Sequence, residues 1–398
     1  MRALILDAER RTANVSNVSL PEPSAHEIRV RVVAVALNPV DSLYMHNPLG
    51  QTGRTVGSDF AGVVDLMGHA VPQPEGGIKP GDRVAGFVQG ACSINERPGG
   101  FADYVVCPWD LVWRLEEGTR LQEAAALSLC GLTAAQALFS RMGLEVPFDW
   151  SDDGFKAIAA PGMESKVEGP STKDNLSFFI YGATTSVGLY AAQLVRRSAE
   201  ASGKRIRLFG AASPKHHTML QAEPYRYDNL VDYRDTDWPT KIRELAQSSA
   251  GIDFAYDCIS EDGTVSKTAS TLAATGRMAI VRSREGGAWT EEEKLPVEPS
   301  YGAVWEGLGE TVQYQGMNLA PSPRERGFAV AFYQWLSGGK ARLKPNPLRE
   351  MPGGLESVVD EGFKLLGSGS MGDRSSSSEK AWMKPLSAEK MVYTISTV

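Results

Sequence analysis

The sequence predicts an α/β chain of two parts, a β-rich barrel-like domain and a doubly wound parallel-sheet domain inserted into it. Three observations carry the prediction. The first hundred residues show short strand patterns separated by Gly and Pro, as a small barrel requires. The run Ser177-Phe178-Phe179-Ile180-Tyr181 is apolar without alternation, which suits a strand buried on both faces. It breaks at Gly182, after which Val187, Tyr190, Ala191, Leu194 and Val195 recur at helical spacing, and strand and helix patterns then alternate to about Val281.

Composition sets the outer limits. The 398 residues are enough for two domains, each with its own core. A hydrophobic share of 42% and a charged share of 22% are those of a soluble globular protein. A net charge of −7 argues against nucleic-acid binding, which needs a basic face. No apolar run reaches membrane-spanning length, and Met1 to Asp7 lacks the apolar core of a signal peptide, so a cytoplasmic protein is expected; a monomer is expected as well. Cys92, Cys107, Cys130 and Cys258 are too scattered for a zinc site or a disulfide framework.

In chain order, Ile28 to Leu37 begins in strict alternation and ends as a buried run, so it is expected to be a strand. Further short strands are expected at Phe60–Leu66, Arg83–Val88 and Phe101–Val106, with a turn at Lys79-Pro80-Gly81-Asp82. The pattern becomes helical at Ala124–Leu129 and Thr133–Met142. Glu145 to Asn175 has no period and is expected to be a surface insertion. Strands follow at Arg205–Ala211, Asn229–Asp232, Ile252–Cys258 and Arg277–Val281, with a helix at Arg324–Leu336. Gly367 to Lys380 is Gly/Ser-rich and expected to be a flexible loop, and Lys390 to Ile395 a closing strand.

The chemistry centres on the turn from Gly182 to Gly188. A helix starting there points free N–H groups and the positive end of its dipole at an anion, the arrangement that holds a dinucleotide pyrophosphate. With only two glycines the motif is incomplete, and an ordinary helix start is the alternative. The next strand pattern, Ile206 to Ala212, lacks the closing Asp or Glu that holds ribose hydroxyls in NAD-binding units. Ser213, Lys215 and His216 stand there instead, a set that favours the 2′-phosphate of NADPH over a plain solvated basic loop.

Ala36–Asp41, Gly57–Val64, Gly81–Val84, Gly99–Tyr104 and Glu123–Leu127 together resemble the medium-chain dehydrogenase/reductase superfamily. That resemblance implies a GroES-like catalytic domain over residues 1–135, a Rossmann domain over 136–320 and a return to the first domain over 321–398. Zinc members would carry a Cys near Val40 and a His-Glu pair near Asp59; neither is present, so no metal is expected. Val231–Arg234, Tyr256–Ile259, Gly302–Gly307 and Leu386–Lys390 extend the resemblance to fungal trans-acting enoyl reductases that serve highly reducing polyketide synthases.

The resemblance implies that Val40, Asp41, Ser42 and Leu43, with Thr184, Thr185, Ser186 and Val187, touch NADPH. Ser213, Pro214, Lys215, His216 and Tyr233 would hold its adenosine phosphate end, and Arg282, Ser283, Leu386 and Ser387 would approach through the backbone. Thr133, Ala134, Ala135, Gln136, Ala137, Leu138, Phe139 and Ser140 would border an acyl channel opposite Gly302, Ala303, Val304, Trp305 and Glu306. Some relatives carry a basic side chain where Leu43 stands, and no residue is assigned as the acid. The implied reaction is NADPH-dependent reduction of an α,β-unsaturated thioester on the acyl carrier domain of a polyketide synthase, or of a synthase–peptide synthetase hybrid. A quinone oxidoreductase acting on free enones and a catalytically silent NADPH-binding protein are the alternatives.

Overall fold

The computed structural model describes residues 1–75, 77–91, 97–150, 173–290, 294–314, 317–338 and 343–397. A ribbon of β1 (Arg2–Asp7) and β2 (Thr12–Asn17) leads into β3 (Glu27–Ala36), the strand on which the first large sheet is built. Burial along β3 follows its sequence, alternating through Arg31 and then continuous from Val32 to Ala36. Helix α1 (Pro39–His46) starts at once, because Asn38 caps it, Pro39 presets its first φ angle, and the Asp41 side chain accepts from the Asn38 N–H. Strands β4 (Asp59–Met67), β5 (Arg83–Phe87), β6 (Tyr104–Pro108) and β7 (Val112–Arg114) complete this part of the sheet. Helices α2 (Leu121–Ala125) and α3 (Ser128–Ala135) follow, and α3 continues as a π-helical turn over Gln136–Arg141.

The second large sheet contains β8 (Asn175–Tyr181), β9 (Arg205–Ala211), β10 (Asn229–Val231), β11 (Ile252–Asp257) and β12 (Leu272–Ile280). All its pairings are parallel, in the order β10-β9-β8-β11-β12. Strand β8 is apolar and buried from Phe178 to Tyr181 because it feeds two cores. Phe178 and Ile180 face α4 (Ser186–Ser202), whereas Phe179 and Tyr181 pack on the other side with Trp238 and Ile242 of α6 (Trp238–Ala246), which follows the short α5 (His217–Gln221). Phe178 and Phe179 are fully buried, each worth about 1.5–3 kcal/mol relative to exposure. The chain order reverses direction at β8, and the carboxyl ends of β8 and β11 open the crevice where ligands bind in such sheets. Helix α7 (Thr264–Ala269) joins β11 to β12.

After a ribbon of β13 (Val312–Tyr314) and β14 (Met317–Leu319), α8 (Pro323–Ser337) packs against the first sheet's side of the molecule. Strands β15 (Leu348–Met351) and β16 (Lys390–Thr394) then return to that sheet, giving the order β15-β16-β3-β4-β5-β7 with β6 also on β3. One edge of β3 is thus shared, its first half pairing with β6 and its second half with β16. One apolar core runs from Val33 and Phe87 through Leu132 and Tyr190 to Phe332 and joins the two sheets, each of which also buries a core of its own on its other face.

Several elements differ from expectation. The expected strand at Phe101–Val106 begins three residues later, as Tyr104–Pro108, because Gly99–Phe101 turns back to bond Thr55, Val56 and Gly57. The helical pattern at Ala124–Leu129 is broken at Ala126, where α2 ends. Most of the expected insertion, residues 151–172, lies outside the described residues, as does Cys92. The segment leading into it is no bare surface loop: Phe148 packs on Phe328 at 5.5 Å and Trp150 on Phe328 at 4.9 Å. The Gly/Ser-rich segment from Gly367 is irregular, as its composition requires, yet it is tied on both sides. The Ser42 hydroxyl donates to the Gly367 carbonyl at 2.6 Å, and the Met371 N–H donates to Glu261 at 2.9 Å.

Candidate functional site

A cleft of about 1320 Å³ lies between the two sheets. Its first stretch is the start of α4. Gly182 has φ +72°, and a Cβ on Gly188 would come within 2.5 Å of the Gly182 carbonyl oxygen. The two glycines therefore let the strand end and the helix start lie against each other. Thr185 is the N-cap, and its Oγ1 accepts from the Gly188 N–H at 3.0 Å. The helix's other leading N–H groups remain directed at the cleft, a seat for a pyrophosphate.

Beyond the ends of β9 and β10 lie Ser213, Lys215, His216 and Tyr233. Arg234 joins them, donating to the Ser213 hydroxyl at 2.7 Å, and its guanidinium lies 5.3 Å from the Tyr233 ring centroid. His216 shares a 2.7 Å hydrogen bond with the Ser387 hydroxyl, which fastens the returning chain to this end. Lys215, with the Ser213 hydroxyl and the Arg234 guanidinium beside it, suits a phosphomonoester better than a ribose diol. Asp232, next to the end of β10, pairs with Arg234 at 3.1 Å.

The opposite end has a polar floor. Asn38 caps α1, and its amide donates to Asp59 at 2.9 Å. Asp59 also accepts from the Leu129 N–H at 2.8 Å and lies 3.5 Å from the Lys390 ammonium. Lys390 bonds Asn38 Oδ1 and, at 3.3 Å, Cys130 Sγ. Asp41 accepts from the Ser58 hydroxyl and from the Asn38 N–H. Four elements (α1, β4, α3 and β16) are thus joined through buried groups. Burial pushes the Asp41 carboxyl up to about 7 and raises Asp59 as well. Burial opposes the charge on Lys390, but Cys130 and Asp59 outweigh it and hold the ammonium above its ordinary range. Among the described residues no group of three His, Cys, Asp or Glu could hold a metal ion.

Of the residues singled out in the sequence, Val40, Leu43, Thr184–Val187, Ser213, Lys215, His216, Tyr233, Arg282, Leu386 and Ser387 line this cleft. So do Thr133, Ala137, Gly302, Ala303, Val304 and Trp305. The others stand behind its walls. Asp41 belongs to the floor network, Ser42 bonds Gly367, and Ser283 accepts from the Gly286 N–H. Pro214 only starts the short turn that carries Lys215. Ala134, Ala135, Gln136, Leu138, Phe139 and Ser140 are buried on the other faces of the helix, and Glu306 pairs with Arg141. Arg234, Cys130, Lys390 and Arg141 line the cleft and were not singled out as site residues, although the first and third lie in stretches that carry the resemblance.

Comparison with known proteins agrees with this geometry. Residues 24–117 match the alcohol dehydrogenase GroES-like domain. A trans-enoyl reductase of Alternaria alternata is 30% identical over 275 residues, 69% of this chain and 70% of its own length. Another, from Aspergillus clavatus, is 28% identical over 95% of this chain and 92% of its own. Among solved structures, the CurK enoyl reductase superposes with a TM-score of 0.69 at 18% identity, covering 99% of both chains. A quinone oxidoreductase of Pseudomonas syringae gives 0.66 at 17% identity over 99% of this chain and 100% of its own, so the architecture alone is common to both. The sequence identities and the shared architecture together show that the chain belongs to the trans-enoyl reductase family of the medium-chain dehydrogenase/reductase superfamily.

Proposed function

We propose that the protein reduces an α,β-unsaturated thioester with NADPH, acting in trans on an intermediate held by the carrier domain of a polyketide synthase. The observation that carries this reading is the continuous cleft, which runs from the Lys215–Arg234 cations past the start of α4 to the floor at Cys130 and Lys390, then on between α3 and Ala303–Trp305. A dinucleotide fits the first stretch and an acyl chain the second. The bound nicotinamide would supply a hydride to the β-carbon of the enoyl group.

The chain's own part is positioning and exclusion of water. Lys215, Arg234 and Ser213 hold the phosphate at the adenosine end, and the backbone N–H groups after Thr185 hold the bridging phosphates. Val40, Val281 and Trp305 give the far end apolar walls. Thr133 has its hydroxyl donated to the Leu129 carbonyl at 2.8 Å, so it presents its oxygen and methyl rather than a free proton. In this reading the domain limits lie near residues 135 and 320, with the acyl channel at the joint.

Steady-state turnover with an enoyl-pantetheine, a free enone and a quinone tests the reaction. Preference for the thioester is expected, and faster reduction of the quinone would replace this reading with that of a quinone oxidoreductase. The cofactor is tested separately. Lys215→Ala is expected to weaken NADPH binding by about 10- to 100-fold, as loss of one charge-assisted bond predicts. NADH should be nearly unaffected, and equal weakening of both cofactors would remove the basis for NADPH.

A further inference from the structure

The acyl channel is not apolar to its end. Helix α3 and its π-helical continuation turn one residue in four toward the cleft: Thr133, Ala137 and then Arg141. At helical rise, Arg141 lies on the order of 10 Å farther along the channel than Thr133. Its side chain is only 13% exposed. Among the described residues its guanidinium has one bond, from Nη2 to Glu306 at 3.2 Å, which leaves Nε and Nη1 without a protein acceptor. Arginine carries five N–H donors; those of Arg141 face the cleft, where a bound chain that displaced water without offering an acceptor would leave them unpaired at a cost.

The position of the guanidinium is specified by the opposite wall. Gly302 lies so close beneath it that a Cβ there would come within 2.0 Å of Nε and Nη2. Tyr301 and Tyr314 also line the cleft. Burial pushes both hydroxyls up, so they remain neutral donors. Glu306 already balances the Arg141 charge, so the remaining demand is for an acceptor and not for a counter-ion.

We propose that Arg141, with Tyr301 and Tyr314 beside it, is a specificity determinant for a neutral oxygen, carbonyl or hydroxyl, carried on the acyl chain remote from the enoyl group. A plain hydrocarbon chain would leave the guanidinium donors unpartnered, and a carboxylate would add a charge that Glu306 opposes. The proposal rests on the enoyl-thioester reading, so its test has two arms.

In the binding arm, saturated acyl-pantetheines of equal length are titrated into the NADP-loaded enzyme, with quenching of Trp305, which lines the same channel, as the readout. The chains carry no oxygen, one keto group at graded positions, or a terminal carboxylate. The keto chain of matching position is expected to bind about 10-fold or more tighter than the alkyl chain. In Arg141→Met that ratio should collapse toward one. Thermal unfolding of the variant is followed in parallel, and Arg141→Lys, which keeps the charge but loses the fork, should restore only part of the preference. A wild-type enzyme that ranks the keto chain level with or below the alkyl or carboxylate chain overturns the proposal without any variant. So does a folded Arg141→Met protein that keeps the wild-type ratio. The turnover arm uses the matching enoyl thioesters. Failure to reduce any of them removes the parent reading, whereas reduction without chain preference removes only this one.

Discussion

Replacing Lys390 by Met is expected to cost about 3–5 kcal/mol of folding stability, the range for breaking a buried ion pair by removing one partner. Lys390 is 3% exposed and Asp59 is fully buried, with 3.5 Å between ammonium and carboxylate. Without the ammonium, Asp59 must either keep an uncompensated charge or take up a proton, and Asn38 Oδ1 and Cys130 lose a donor as well. The loss should appear as a lower urea midpoint with little change in slope. Adding Asp59→Asn to Lys390→Met should recover much of it, because the double variant holds no orphaned charge. A single variant within about 0.5 kcal/mol of the parent would mean that this network does not hold the floor of the site together.

The second large effect is expected at the phosphate turn. Gly188→Val should weaken NADPH binding by at least about 100-fold in a fluorescence titration, equivalent to losing more than one charge-assisted hydrogen bond. Its Cβ would meet the Gly182 carbonyl at 2.5 Å and Thr185 Oγ1 at 3.1 Å, so the turn must open and the helix start must move away from its anion seat. Gly203→Ala is the control. Gly203 ends the same helix with φ +68° and open space around it, so the change strains the C-cap and costs about 1 kcal/mol without touching the cleft. If the Gly188 variant binds NADPH within 10-fold of the parent, the phosphates are not seated on this turn.

What could be read from the sequence depended on how local its cause is. The change along β3 from alternation to continuous burial could be read because each residue's face is set by its neighbours in the strand. The run of β8 and its glycine turn were equally plain. Helix α1 carries its own start signal, Asn38-Pro39 with Asp41, but its eight residues were read as a motif and not as a helix. The acyl wall shows a different limit. A contiguous stretch from Thr133 to Ser140 cannot all face one channel, because the helical period turns most of it into the core, and the next residue to face inward is Arg141, just past that stretch. The floor network was out of reach for another reason. Lys390 and Asn38 are 352 residues apart, and no local pattern marks a lysine whose partners are supplied by three other elements.

That separation also bears on how the chain is made. At roughly 5–20 residues per second, β16 leaves the ribosome on the order of half a minute after β3. Through that interval the second half of β3 has an open, apolar edge on one side, and Asp59 is without its counter-charge. The sheet from β8 to β12 draws every strand from one contiguous stretch, 175–280, and meets no such delay. The nucleotide-holding half should therefore mature before the half that precedes it in synthesis. Ribosome-bound chains halted near residue 338 should give a protease-resistant fragment spanning 175–280 while residues 1–120 are still cut, and equal resistance of both would contradict this order. A nascent chain of this protein would thus acquire its cofactor seat first, and close the floor of its catalytic site only when Lys390 emerges.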